Sequence, residues 1–330
     1  GRRIIKKKKE LVVCLAFQFR KTRKSGNSSD HVLRRRDIGK SVLGISLPIT
    51  ANRLILSLLG TVEFLWIPQR LALYGLTDAE ALAEYGKLTG MAAPVITFPS
   101  MLTAALATAL VPAIAEAAAL KRMNGANRQI SRSIRVTLVL GFLFTSLFIA
   151  FGRDISDLIY PGQNVGQMMF LLSFTGVFFY LQQTLLGVLN GLGKEKDTLK
   201  HSMITSVLRL GFVWFGIPAF GMNAYIISLV ATNLVGSMLN LRTTIKTTGM
   251  SIELGDWLFK PLIAAISGVI SAPLIKMIVT ASIPQPTVAL LVAGAVTGGL
   301  MATILILLGV FELKDILQML PLKIEKDRKL

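Results

Sequence analysis

The residues with chemical potential in this chain are few, and they lie inside apolar stretches. Arg53 falls about eleven residues into the first of these stretches, which is mid-membrane depth for a helix rising about 1.5 Å per residue. An arginine at that depth costs on the order of 3 kcal/mol to insert, so it must face a cavity or a charged partner. Ser57 and Gly60, four and seven positions on, share its helical face, and Asn52 adds a neighbouring donor. That stripe suits an anionic head group, because a guanidinium forks onto phosphate oxygens. The other reading is a buried pair with a carboxylate from another helix.

Glu63 lies ten residues beyond Arg53, about 80° away around the helix. It reads as an interface residue or as the holder of a coupling cation, Na+ or H+. Arg209 lies close enough to the end of its apolar run to snorkel out along its stem. Gln182, Gln183 and Asn190 are uncharged; interhelical hydrogen bonds or a cavity wall would use them. Pro94 and Pro99, with Gly90 just before them, break a helix where it can hinge, since proline removes a backbone donor and clashes with the preceding turn.

Catalytic sets are missing. No Ser/His/Asp arrangement, paired carboxylates or phosphate-cradling glycine loop can be assembled. The single cysteine, Cys14, allows no internal disulfide, and two histidines, His31 and His201, do not build a metal site. No cofactor is expected, and the chain reads as a membrane transporter rather than an enzyme.

The elements carrying these residues follow from hydropathy. The mean hydropathy is +0.61, and 16% of residues are charged, below the quarter typical of soluble domains. Eight apolar runs of spanning length cover residues 42–66, 88–115, 133–151, 166–190, 202–219, 222–241, 258–280 and 286–311. Lysines and arginines crowd onto alternate gaps: 30 on the side holding the N-terminus, against Arg70, Lys87, Arg153 and Lys276 on the other. This asymmetry predicts a multi-pass protein of the cytoplasmic membrane with both termini in the cytoplasm. The net charge of +18 therefore points to anionic lipid rather than nucleic acid. The expected fold class is all-α, a polytopic membrane bundle of eight transmembrane helices, because only helices and closed barrels satisfy the backbone in hydrocarbon and period-2 alternation is absent.

Four regions are expected. Residues 1–40 form a basic head and linker, 41–245 a six-helix lobe, 246–315 two further spans, and 316–330 a basic tail. The apolar stretch 10–19 is too short to span. It reads as the end of a lost helix or a surface segment, and a first residue of Gly1 implies more chain upstream. Thr77 and Glu80 have capping-box spacing, which predicts a short interfacial helix with Leu82 and Tyr85 towards the bilayer. Residues 116–135, with five positive charges and Asn124-Gly125, predict an amphipathic helix on the membrane surface.

Three stretches carry a resemblance. The first runs from Tyr85-Gly86-Lys87-Leu88-Thr89-Gly90-Met91 through Pro94 and Phe98-Pro99-Ser100 to Ala105–Ile114 and Glu116-Ala117. The second is Leu189-Asn190-Gly191-Leu192-Gly193-Lys194. The third is Gly221-Met222-Asn223-Ala224-Tyr225. Together they resemble the stage V sporulation protein B family, a polysaccharide-transporter branch of the MOP superfamily, which also holds lipid II flippases and multidrug MATE exporters. The likeness covers about residues 38–315.

The resemblance implies a fourteen-helix MATE-like fold, of which this chain supplies helices 7–14, with the N-terminal lobe of the same protein as its partner. It implies export of an undecaprenyl-linked saccharide or peptidoglycan precursor in cell-wall, polysaccharide or spore-cortex synthesis. It also implies a central cationic cavity, to which Arg53 would contribute, and a lipid-tail groove at the last two helices. Drive would come from an ion gradient or the membrane potential. A drug/cation antiporter using Glu63 and a non-transporting scaffold for envelope or spore assembly are the alternatives.

Overall fold

The computed structural model describes the backbone of residues 35–120 and 123–310. Side chains are described at Leu47, Thr50, Ala51 and from Arg53 onward within those limits. The basic head up to residue 34, the apolar stretch 10–19, the side chain of Asn52 and the tail 316–330 lie outside the described residues. Contacts divide the chain into two units, Gly1–Gly44 and Ile45–Leu330. The second unit carries the membrane-spanning segments.

Among the described residues every regular element is helical. In order they are α1 (Arg35–Leu73), α2 (Asp78–Lys87), α3 (Ala93–Thr97), α4 (Ser100–Ala119), α5 (Met123–Ile159), α6 (Gly166–Ser173), α7 (Thr175–Gly191), α8 (Glu195–Gly211), α9 (Ile217–Phe220), α10 (Met222–Thr248), α11 (Lys260–Ser282) and α12 (Pro286–Leu307). Seven helical segments are long and apolar enough to cross a membrane. The bent pair α6–α7, with a 50° angle at Phe174, makes an eighth. The chain is an all-α polytopic bundle.

Three five-residue π-helical turns interrupt it: Leu88–Ala92, Phe212–Gly216 and Gly255–Phe259. Each is followed two residues later by a proline, Pro94, Pro218 and Pro261. A proline lacks the N–H for its own ladder bond and crowds the carbonyl four residues back. The chain accommodates it by widening the turn before it: Ala93 bonds to Leu88, Ile217 to Phe212 and Lys260 to Gly255, each five residues back. Gly90 lies at the centre of the first of these turns and Pro94 follows it.

A further break lies at Phe98-Pro99. The helix stops at Thr97 and restarts at Ser100. The carbonyl of Ile96 is taken up by the Tyr180 hydroxyl, which donates to it at 2.6 Å from α7. Tyr180 is fully buried. A bundle in lipid has no water to satisfy freed backbone groups, so a side chain on a neighbouring helix does it.

Small residues set the closest helix approaches. An added Cβ at Gly187 would lie 2.8 Å from the Cβ of Ala107, and one at Gly191 would lie 3.0 Å from the carbonyl oxygen of Val111. The Gly187/Gly191 pair on α7 thus seats α4 backbone to backbone. Gly193 closes α7 at φ +68°, a left-handed conformation that suits glycine, and the Lys194 amide returns to Leu189 O at 2.9 Å. Gly221 turns α9 into α10 at φ +63°, with the Tyr74 ring occupying the space a side chain would need.

Two expectations about the connections need correction. Residues 123–135 are not a separate surface helix; they are the first turns of the 37-residue α5, whose buried positions Ala126, Ile130 and Ile134 continue the same face. The capping box forms as expected: the Thr77 amide and hydroxyl donate to Glu80 Oε2 at 2.9 and 2.8 Å, and the Glu80 amide returns to Thr77 Oγ1. The helix it starts does not present Tyr85 outward, however. Tyr85 turns into the core beside Tyr225, with ring centroids 6.3 Å apart, and α2 runs on through the π turn into α3. Only Leu82 stays exposed.

The last two spans pack on α5. Lys276 on α11 donates to Asp154 at 2.6 Å, and Arg135 pairs with Glu253 at 3.3 Å in the segment leading into α11.

Candidate functional cavity

On helix α8, Thr198, His201, Ser202, Thr205 and Arg209 recur at helical spacing and line one cavity. Helix α10 answers with Tyr225, Thr232, Asn233 and Asn240. Helix α7 adds Thr175, Gln182 and Gln183, and the π turn and α3 contribute Thr89 and Thr97. The cavity measures about 400 Å³, within the range of small-molecule sites. Polar side chains from three helices converge on one space inside the bundle.

At one level of the cavity, Arg209 and Glu63 form a salt bridge, Nε to Oε1 at 2.5 Å. The second oxygen of Glu63 accepts the Tyr225 hydroxyl at 2.9 Å. Neither Arg209 Nε nor Glu63 Oε1 has a hydrogen-bond partner elsewhere, so each relies on the other. Glu63 is 5% exposed. Snorkelling of Arg209 is therefore overturned: a carboxylate at its own depth compensates the guanidinium, so it need not reach the membrane edge. Glu63 is likewise not a surface interface residue, because it faces inward with Leu59, Ile67 and Leu71, four residues apart along α1.

Two turns away from Arg209, His201 Nδ1 lies 2.7 Å from Asn240 Oδ1. The Thr243 hydroxyl lies 3.4 Å from the other ring nitrogen.

Gln182 and Gln183 line this cavity. Gly236 on α10 makes room for Gln182: a Cβ there would lie 2.9 Å from Gln182 Nε2. Arg53, Ser57 and Gly60 share a face of α1 as their spacing requires, but that face is exposed and continues to Phe64. Of α1, it is Leu56 that reaches the cavity. The structure thus does not bring Arg53 or Ser57 to Gln182 and Gln183. The reason is rotational: the buried face of α1 runs through positions 59, 63, 67 and 71, roughly 60° around the helix from Arg53. Gly90 lies within the π turn beside the cavity wall, Pro94 follows it, and Pro99 sits at the α3–α4 break. Asn190 lies half-buried outside the cavity.

Sequence reasoning missed the α8 and α10 stripes. Their signal was present: hydroxyl and imidazole groups at three- and four-residue intervals along α8, and hydroxyl and amide groups at seven-residue intervals along α10.

Residues 71–215 match the MatE family model. The matched segment runs from the end of α1 through the Phe212–Gly216 turn and includes most of the α7 and α8 walls of the cavity. Stage V sporulation protein B of Bacillus subtilis (strain 168) is 27% identical over 268 residues, 79% of this chain and 51% of that protein. Sporulation protein YkvU of the same organism is 25% identical over 234 residues, 71% of this chain and 50% of that protein. The chain spans about half the length of the curated relatives it matches. These likenesses agree with the resemblance to the MOP superfamily.

Proposed function

We propose that this chain is the C-terminal half of a transporter that flips an undecaprenyl-pyrophosphate-linked saccharide or peptidoglycan precursor across the cytoplasmic membrane by alternating access. The observation that carries this reading is the convergence of polar side chains from α7, α8 and α10 on one cavity within the bundle. A bundle gains nothing in stability from lining its own interior with unpaired amides and hydroxyls, so such a space is kept for a polar cargo. The relatives' double length supports a second lobe of similar size. The exposed α1 face with Arg53, Ser57 and Gly60 is the surface such a lobe would meet, and Arg53 would hold the pyrophosphate there. The 30-to-4 charge asymmetry supports cytoplasmic termini and contact with anionic lipid.

The hinges of the cycle are the π turn at Gly90–Pro94 and the Pro99 break. Drive comes from a Na+ or H+ gradient or from the membrane potential. The Glu63–Arg209 pair weighs against an antiporter built on Glu63, because the carboxylate already has its cation.

The test is reconstitution of the full-length protein in vesicles with a fluorescent lipid-linked oligosaccharide, its appearance in the opposite leaflet read by a membrane-impermeant quencher. Protein-dependent flipping is the expected result. Efflux of a drug cation without flipping would establish the antiporter instead, and neither activity, with envelope assembly intact, the scaffold.

A further inference from the structure

The cavity contains an unmet demand for hydrogen bonds. Thr175 Oγ1 and Gln182 Oε1 are both buried, and neither has a partner. Thr175 is only 6% exposed. The two residues are seven apart on α7, on one face and about 10 Å from each other along the axis. Gln183 and Ser202 also line the space and make no side-chain hydrogen bond. Most of the other hydroxyls are spent on their own helices: Thr89 donates to Tyr85 O, Thr97 to Ala93 O and Thr205 to Ser202 O.

The charge balance is equally telling. Arg209 is the one lysine or arginine among the described lining residues, and Glu63 neutralises it. No aspartate or glutamate lines the cavity among the described residues. A phosphate would find no free cation here, and a drug cation no free carboxylate.

We infer that this cavity is a binding site for the uncharged glycan of the cargo, with Thr175, Gln182, Gln183 and Ser202 contacting sugar hydroxyl or acetamido groups. The inference rests on the exporter reading and deepens it: the saccharide enters the α7–α8–α10 cavity while the pyrophosphate stays outside it. Sugars offer dense arrays of groups that both donate and accept, which is what unpartnered amide and hydroxyl side chains require.

The experiment uses the full-length protein in lipid nanodiscs, with chitobiose as a neutral probe observed by saturation-transfer NMR and inorganic pyrophosphate as competitor. Chitobiose should bind, pyrophosphate should not displace it, and Thr175→Val and Gln182→Leu should each weaken binding by about tenfold. Thr175→Val keeps the side-chain shape, so it separates lost hydrogen bonding from lost folding. Displacement by pyrophosphate, absence of chitobiose binding, or unchanged affinity in Thr175→Val would each overturn the inference. Flipping of the lipid-linked saccharide without chitobiose binding sinks the site alone. Chitobiose binding with no flipping sinks the exporter reading alone.

Discussion

Glu63 on α1 and Arg209 on α8, 146 positions apart in the chain, meet at 2.5 Å in the apolar interior. The Tyr225 hydroxyl completes the carboxylate's shell from α10. Three helices are thus tied at one point on the cavity wall. Removing one charge strands the other, whereas removing both leaves neutral groups. Glu63→Gln should therefore lower stability by about 3 kcal/mol, the bottom of the range for a broken buried pair, because the Arg209 side chain is 22% exposed. Glu63→Gln combined with Arg209→Gln should recover most of that loss. Thermal unfolding in detergent measures it; additive losses would show that the two residues act independently.

The Tyr180 hydroxyl fills the gap that the Phe98-Pro99 break leaves at Ile96 O. Tyr180→Phe keeps the ring and abandons the carbonyl, which should cost about 1–3 kcal/mol. The change should appear as a lower midpoint of thermal unfolding and as faster proteolysis near residues 96–100.

Gly187 has no room for a side chain, with Ala107 backbone and Cβ atoms within 3.1 Å of where one would begin. Gly187→Ala should destabilise by about 1–3 kcal/mol through overpacking of α4 against α7. Gly298→Ala on α12, where nothing lies within 4 Å, should be neutral or mildly stabilising. The comparison separates close packing from helix propensity in one unfolding assay.

The Thr77 amide and hydroxyl hold the Glu80 carboxyl below its ordinary value of 4.5. A lowered folded-state value means the charged form is favoured by folding. Its contribution is therefore present at neutral pH and is lost as pH falls below the usual carboxylate range and through the folded value. Amide exchange at residues 80–82 should accelerate over that acidic window. Thr77→Ala should speed the same amides at neutral pH and return the Glu80 titration toward 4.5, read by NMR.

Arg53 tests the exposed face of α1. Arg53→Ala should leave the unfolding midpoint of this eight-span unit nearly unchanged, within about 0.5 kcal/mol. In the full-length protein it should abolish flipping of a lipid-linked saccharide, and Arg53→Lys should retain part of it. Full transport in both variants would remove the phosphate contact proposed for this face.

The sequence by itself determined what depends on one helix at a time. The number of spans, the all-α class, the Thr77–Glu80 cap and the shared face of Arg53, Ser57 and Gly60 follow from hydropathy, spacing and the 3.6-residue turn. The proline breaks were also visible, though their form as widened turns was not. Tertiary structure decided what depends on how helices are rotated against one another. Helical periodicity says that Arg53 and Ser57 agree in direction, but not that Leu59, Glu63 and Ile67 take the core and leave them outside. Nor does it say that Arg209, read alone as a cation seeking the membrane edge, has a carboxylate waiting on α1. Contacts between helices far apart in the chain carry no local pattern, and here those contacts choose which polar stripes become the cavity.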